Sequence, residues 1–449
     1  MSSVPVRHSN ATLAAFAAPC LPMAALGLPL VVNLPHFYAT SMGIGLEAVG
    51  MIFLIVRLID IVFDPILGSM MDRTRTRFGR FKPWLVSSIG IMGLATWMLF
   101  LPPGTSASGL YLGGWLLLVY LGFSISVLAQ TSWASVLSPD YDQRSRIYGF
   151  WTTGNVVGIL MVAALPTLLT LLAGKGAPPV PETKSVAAMG LFIVALLPLT
   201  IGLAVWKVPE PMPDKPTHGS VMDYFQFLKL ASVRRLMWTD LLFGLAPGIT
   251  GALALYYFRS VKGLSPFESQ LLVFGYFAAG LAGAALWTFV AGKIGKHKAM
   301  ATAGILFAVS YVGVWLAPAG NFGLGMLSMI GVGIPFCANQ VLLRAMLADV
   351  GDEDRLISGK DRTGMLFALL TATNKVGYAL AAATFIPLGW AGFISKEDAL
   401  QTPEALQMLT ILFVALPIGL LLVASWVIFS FPLDKARQEE IRAQLEARG

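Results

Sequence analysis

Asp60 and Asp64 stand four residues apart in the apolar run Arg57-Leu-Ile-Asp60-Ile-Val-Phe-Asp64-Pro65. On a helix this spacing sets the two carboxylates one turn apart on one face, and Arg57 falls on nearly the same stripe. Two carboxylates so close repel, and desolvation penalises their charged forms. A small cation offered oxygen ligands, or a proton, relieves both problems. Pro65 has no N–H to donate, so the carbonyl of Ile61 loses its usual helical partner and is open to serve as a further oxygen ligand. The competing arrangement is an Arg57–Asp60 ion pair that locks helix packing, which accounts for only one of the two acids.

The elements that must position these groups are membrane helices. Of 449 residues, 56% are hydrophobic and 12% charged; a soluble chain carries about 25% charged residues. Apolar runs of about 20 residues, each long enough to span a bilayer core, recur along the whole length. A charge at the centre of such a helix costs about 2.5–3.5 kcal/mol on insertion scales, so it has a partner or a task. Apolar length, Pro/Gly punctuation and charged loops place twelve spans near 12–38, 46–71, 83–102, 110–138, 147–173, 187–207, 233–258, 266–292, 298–318, 321–349, 361–390 and 405–431. The expected fold is an all-α membrane protein of two six-helix halves, 1–207 and 233–449, joined by a Pro-rich loop at 208–232. The first apolar run continues into a full span, which reads as a retained helix and not as a cleaved leader.

Charge asymmetry orients the helices. Segments on one side hold 24 of the 31 Lys and Arg residues and the other side holds five. The positive-inside rule then puts both termini in the cytoplasm of a multi-pass protein of the plasma (inner) membrane. The net charge of +7 lies in short loops facing lipid headgroups, so the bilayer is the expected partner and nucleic acid is not. Cys20, Cys337 and four scattered histidines give no disulfide framework or metal spacing, and no nucleophile–base set points to an enzyme. No cofactor is expected. The basic turn after the second span, Asp72-Arg73 through Arg80-Phe-Lys82, has a counterpart after the eighth, Gly292-Lys-Ile-Gly-Lys-His-Lys298, as a duplicated six-helix half would produce.

Other polar residues lie within spans. Lys375, in Thr371-Ala-Thr-Asn374-Lys375-Val-Gly-Tyr378, sits halfway along the eleventh, where facing the bundle interior is favoured over facing lipid. If the halves share one cavity, it can approach Asp60 and Asp64 and compete with a cation. In the fourth span, Ser126, Gln130, Thr131 and Trp133 suit either a ligand's hydroxyls and ring or helix–helix hydrogen bonds. Asn33 to Tyr38 and Asn339-Gln340 are weaker patches of the same kind, and Asp240, near the start of span seven, reads as structural.

Taken together, these residues resemble the glycoside–pentoside–hexuronide:cation symporters of the major facilitator superfamily, the melibiose permease-like family. The similarity rests on Arg57-x-x-Asp60-x-x-x-Asp64-Pro65 with Gly68, Asp72 and the Arg-rich loop to Trp84; on Asp142-x-Arg144-x-Arg146; on Tyr256-Tyr-Phe258; on Ala348-Asp349 leading to Arg362; and on Lys375. It implies a cation site at Asp60 and Asp64 helped by the Ser126 hydroxyl. The family's melibiose-binding members carry acids near Ala24 and Ala129 and an arginine near Gly154, so a carboxylate–arginine grip on a galactoside is missing, and only Trp133 is kept.

The expected function is import of a small organic solute, a sugar, glycoside or uronide, with Na⁺ or H⁺ by a monomeric carrier. Arg57, Lys375, Gln130, Thr131, Trp133, Asn374 and Tyr378 would serve coupling and substrate. Salt bridges among Asp72, Arg73, Arg80, Asp142, Arg144, Arg146, Asp349 and Arg362 would hold gate states. The rivals are an exporter of amphipathic or lipid-like solutes and a non-transporting sensor.

Overall fold

A computed structural model describes residues 8–137, 141–174, 180–210, 227–359, 363–396 and 399–447. Among the described residues there is no strand, and the helices form twelve long segments. Eleven of these are long and apolar enough to cross a membrane. The remaining one is the second span, Leu46–Arg73, whose Arg57, Asp60 and Asp64 lower its apolarity. It is a single helix of 28 residues with Pro65 inside.

The first span is broken into Asn10–Ala17, Cys20–Val31 and Asn33–Thr40. Pro19, Pro22, Pro29 and Pro35 each remove a backbone donor from the ladder, which explains why this segment cannot run as one helix. Spans three to six are Lys82–Phe100, Gly109–Leu137, Tyr141–Ala173 and Glu182–Lys207. In the C-terminal half, the seventh span (Ala231–Tyr256) ends in a π-helical turn, Tyr257–Val261. Pro266–Ile294 and Lys296–Leu316 are the eighth and ninth spans. The tenth span passes through a π-helical turn, Asn339–Leu343, between Phe322–Ala338 and Arg344–Ser358. Thr363–Ala382 leads the eleventh span, and the twelfth joins Pro403–Thr410 to Leu416–Phe429 through Ile411–Ala415.

Two compact units result, Met1–Pro216 with Ile394–Leu400, and Thr217–Phe393 with Gln401–Gly449. Inside the first, span one packs on five and six, two on four, and three on four and six. Inside the second, seven packs on eleven and twelve, eight on ten, and nine on ten and twelve. Adding six to each number of the first set gives the second. The repeat is therefore far plainer in helix packing than in residue identity.

Small residues let these helices approach, as is usual where lipid offers no hydrophobic drive for association. A Cβ built on Gly158 would meet the Leu21 carbonyl oxygen, and one on Gly333 the Tyr276 carbonyl oxygen. Between spans seven and eleven, Gly248 faces Ala381 and Gly377 faces the backbone of Leu241 and Leu245. Around these contacts the core is apolar and aromatic, with Phe16, Tyr120 and Trp133 in the first unit and Phe243, Tyr257 and Phe307 in the second.

Candidate functional site

Phe53, Val56, Asp60, Leu67 and Met71 form one buried stripe along the second span, at helical spacing. Asp60 is thus built into the packed face, and only 1% of it is exposed. Ser124, on the fourth span, donates a 2.7 Å hydrogen bond to Asp60 Oδ1. Arg57 Nη1 lies 3.6 Å from Asp60 Oδ2, and the guanidinium carbon sits 4.0 Å from the centre of the buried Tyr120 ring. The aromatic face holds the guanidinium as a second, weaker anion would. Asp64 follows one turn on, half-buried. The Arg57–Asp60 pair read from the sequence is thus present, with a second carboxylate one turn beside it.

The hydroxyl on Asp60 is not the expected one. Ser126 donates to Ser88 Oγ at 2.6 Å, on the third span. Two residues along a helix turn the side chain through about 200°, so Ser124 and Ser126 face different neighbours. Nothing in the sequence separates the two serines, because the apolar run around them has no polar stripe to mark the inner face.

The rest of the fourth-span patch is engaged in packing. Gln130 Nε2 donates to the Phe16 carbonyl at 2.8 Å, and its Oε1 accepts from Cys20 Sγ at 3.4 Å. Thr131 bonds back to the Val127 carbonyl at 2.7 Å. Trp133 is fully buried against the Phe16 ring, and its indole N–H donates to the Pro209 carbonyl at 3.1 Å. It is spent on holding spans and is closed to a stacking ligand. Gly154 is similarly closed, since a Cβ there would lie 2.9 Å from the Ala17 carbonyl oxygen.

Glu210 was missed by sequence reasoning, because it lies in a loop whose prolines mark it only as a linker. Its carboxylate accepts from the backbone N–H groups of Arg80, Phe81 (2.7 Å) and Lys82 (3.1 Å), at the start of the third span. A negative charge at a helix N-terminus is favoured by the dipole and by its open N–H groups. Gly79, at φ +116°, makes room for that carboxylate, which occupies the place a Cβ would take. Arg80 Nε donates to the Met71 carbonyl at 3.1 Å. Burial pushes the Arg80 guanidinium down from its usual range and the Glu210 charge acts against that shift.

Of the other expected gate residues, Arg73 is exposed. Arg146 donates to Asn10 at 2.7 Å and to Gln143 at 3.1 Å. Asp349 pairs with Lys296 at 2.6 Å and accepts from Gln438 of the C-terminal helix, Lys435–Glu446. Arg362 lies outside the described residues, as do the side chains of Asp72, Asp142 and Arg144. Lys375 and Tyr378 are half-buried on the eleventh span, and the Asn374 amide packs 3.2 Å from where a Gly244 Cβ would stand. The weaker patch of the first span forms a cluster: Glu182 accepts from Thr40 and Ser41 at 2.9 and 3.0 Å and lies 2.6 Å from His36 Nδ1.

A family model described as MFS/sugar transport protein matches residues 15–435. The chain is similar to a protein named putative glycoside/cation symporter YagG of Escherichia coli K12, with 24% identity over 92% of this chain and 89% of the relative. It is 23% identical to the glucuronide carrier protein homolog of the same organism, over 92% and 90%. Similarity to a lactose permease of Lactobacillus delbrueckii subsp. bulgaricus, at 25% identity, covers 74% of this chain and 55% of that one. A crystal structure of a mutant of the nucleoside transporter NupG shares the fold, with a TM-score of 0.70 at 14% identity over 94% of this chain and 100% of that one.

Proposed function

The chain belongs to the MFS/sugar transport protein family, a family of multi-pass membrane transporters, and we propose that it couples import of a sugar, glycoside or uronide to a cation, Na⁺ or H⁺, held at Asp60 and Asp64. The observation that carries this reading is the buried Asp60 carboxylate, facing Ser124 and Arg57, with Asp64 one turn away. The names of the full-length relatives, a glycoside/cation symporter and a glucuronide carrier homolog, support the solute class.

Arg57 is the switch in this reading. It neutralises Asp60 when no cation is bound, and an arriving cation takes over that task with oxygen ligands from both carboxylates and a serine hydroxyl. Release of the guanidinium frees a donor fork suited to a carboxylate, which is the group a uronide carries. Coupling then follows if the solute binds better to the ion-loaded state, and by linkage the cation binds better to the solute-loaded one. Lys375, Asn374 and Tyr378 would contribute to the solute side, and the carrier would act as a monomer with both termini in the cytoplasm and no cofactor.

The test is uptake of a radiolabelled glucuronide by proteoliposomes under an imposed inward Na⁺ or H⁺ gradient. Accumulation inside the vesicles, collapsing when the gradient is dissipated, is the expected result. Solute movement indifferent to both gradients, or only outward against them, overturns the reading.

A further inference from the structure

The second unit holds a buried acid that the proposed cation site does not use. Asp240, on the seventh span, is only 3% exposed, and Asn339, on the tenth, only 8%. Asn339 Nδ2 donates to Asp240 Oδ1 at 3.4 Å. The other oxygen of each group, Asp240 Oδ2 and Asn339 Oδ1, is buried without a hydrogen-bond partner. Both are acceptors, so neither can satisfy the other as they stand.

Orphaned buried polar atoms are rare in native structures and call for a cause. Here the two orphans are the second atoms of two planar groups already joined through their first atoms. One added proton completes both. A proton on Asp240 Oδ2 donates to Asn339 Oδ1 while Nδ2–H donates to Asp240 Oδ1, which closes an acid–amide ring with two antiparallel hydrogen bonds. We propose that Asp240 and Asn339 form a proton-binding site in the C-terminal half, distinct from the Asp60–Asp64 pair.

The surroundings favour a proton over a metal cation. The other groups acting on the Asp240 carboxylate are the Arg344 guanidinium and the Asn374 amide. A guanidinium repels a second full positive charge, whereas a proton on the carboxylate yields a neutral pair. The packed part of the twelfth span, Leu416–Phe429, brings no ionisable side chain, and the eleventh, which also packs on the seventh, brings Lys375 and Tyr378. Losing the proton leaves the Asp240 Oδ2 and Asn339 Oδ1 acceptors buried with no hydrogen to share between them. Asn339 is also the first residue of the π-helical turn Asn339–Leu343, and π-helical turns recur at functional sites. Proton release therefore disturbs the point where the tenth span changes its helical register.

Infrared spectroscopy of the full-length protein in lipid vesicles tests the site without reference to transport. The wild-type minus Asp240→Asn difference spectrum is expected to show one protonated carboxyl stretch at neutral pH that shifts in D₂O and vanishes reversibly as pH rises. Asn339→Leu should move that stretch to the frequency of a weakly hydrogen-bonded acid. A difference spectrum with no protonated carboxyl band at neutral pH, or one whose band is displaced by added NaCl at constant pH, overturns the proposal. These readings are independent of whether Asp60 and Asp64 drive uptake.

Discussion

Ser124 donates to Asp60 across the interface of the fourth and second spans, whereas Ser126, two residues on, bonds to the third. A hydrogen bond to a buried carboxylate is worth about 1.5–3 kcal/mol, more than one between neutral groups. Removing the Ser124 hydroxyl should therefore weaken cation activation of transport by roughly tenfold or more, by the same principle. Ser126→Ala loses only a bond between two hydroxyls and should leave the cation dependence unchanged. Uptake measured against Na⁺ concentration and pH in both variants makes the comparison, and equal losses in the two would count against Ser124.

Asp60→Asn and Asp64→Asn should abolish gradient-driven accumulation while the protein still inserts and elutes as a single species in detergent. Each amide keeps the shape of the carboxylate and removes the charge that a cation needs. Solute exchange across vesicles without any gradient should survive better than accumulation, because exchange does not require net coupling. Accumulation at wild-type levels by both variants would remove the acid pair from the mechanism.

The fold was legible because its signals are long. Twelve apolar stretches, their basic loops and the intruding charges of the second span are all visible as pattern. The charged span was also the easiest to place, since Arg57, Asp60 and Asp64 share a stripe with Phe53, Val56 and Leu67. The partners of those charges were not legible. Facing direction in an apolar helix is set by a few contacts with neighbours, and a change of two residues reverses it, as Ser124 and Ser126 illustrate. Trp133 and Gln130 were open to two readings for a related reason: an amide or indole binds a carbonyl of a neighbouring segment as readily as it binds a ligand, and here Phe16 and Pro209 supply the carbonyls. Glu210 stayed hidden because its role depends on the open backbone N–H groups of a helix far away in sequence.

Gly79 and Glu210 make a pair that can be tested by stability. Gly79→Ala forces a side chain into a left-handed conformation, at about 1–2 kcal/mol, and displaces the Glu210 carboxylate from its place. Glu210→Ala leaves three backbone N–H groups at the start of the third span without their acceptor. Both variants should melt several degrees below the wild type, and the double variant should lose less than the sum of the two. Full additivity in the thermal-shift measurement would mean that the glycine and the carboxylate act separately.

The last expectation concerns the solute. The melibiose-binding members that this chain resembles carry acids and an arginine near the positions that here are Ala24, Ala129 and Gly154. Ala129 is fully buried, and Gly154 abuts the Ala17 carbonyl so closely that no side chain fits without parting the first and fifth spans. Such a grip on a neutral galactoside would find little room at Ala129 and Gly154 as they are packed here. An α-galactoside such as melibiose should give no thermal stabilisation of the purified protein, with or without Na⁺. A glucuronide, whose carboxylate can meet Arg57 once a cation has relieved it of Asp60, should stabilise the protein more when the cation is present. Gly154→Arg, made to restore the galactoside grip, should instead lower the folded yield. A cation-dependent shift with melibiose in the wild type would show that these positions are dispensable and that a different set of residues holds the sugar.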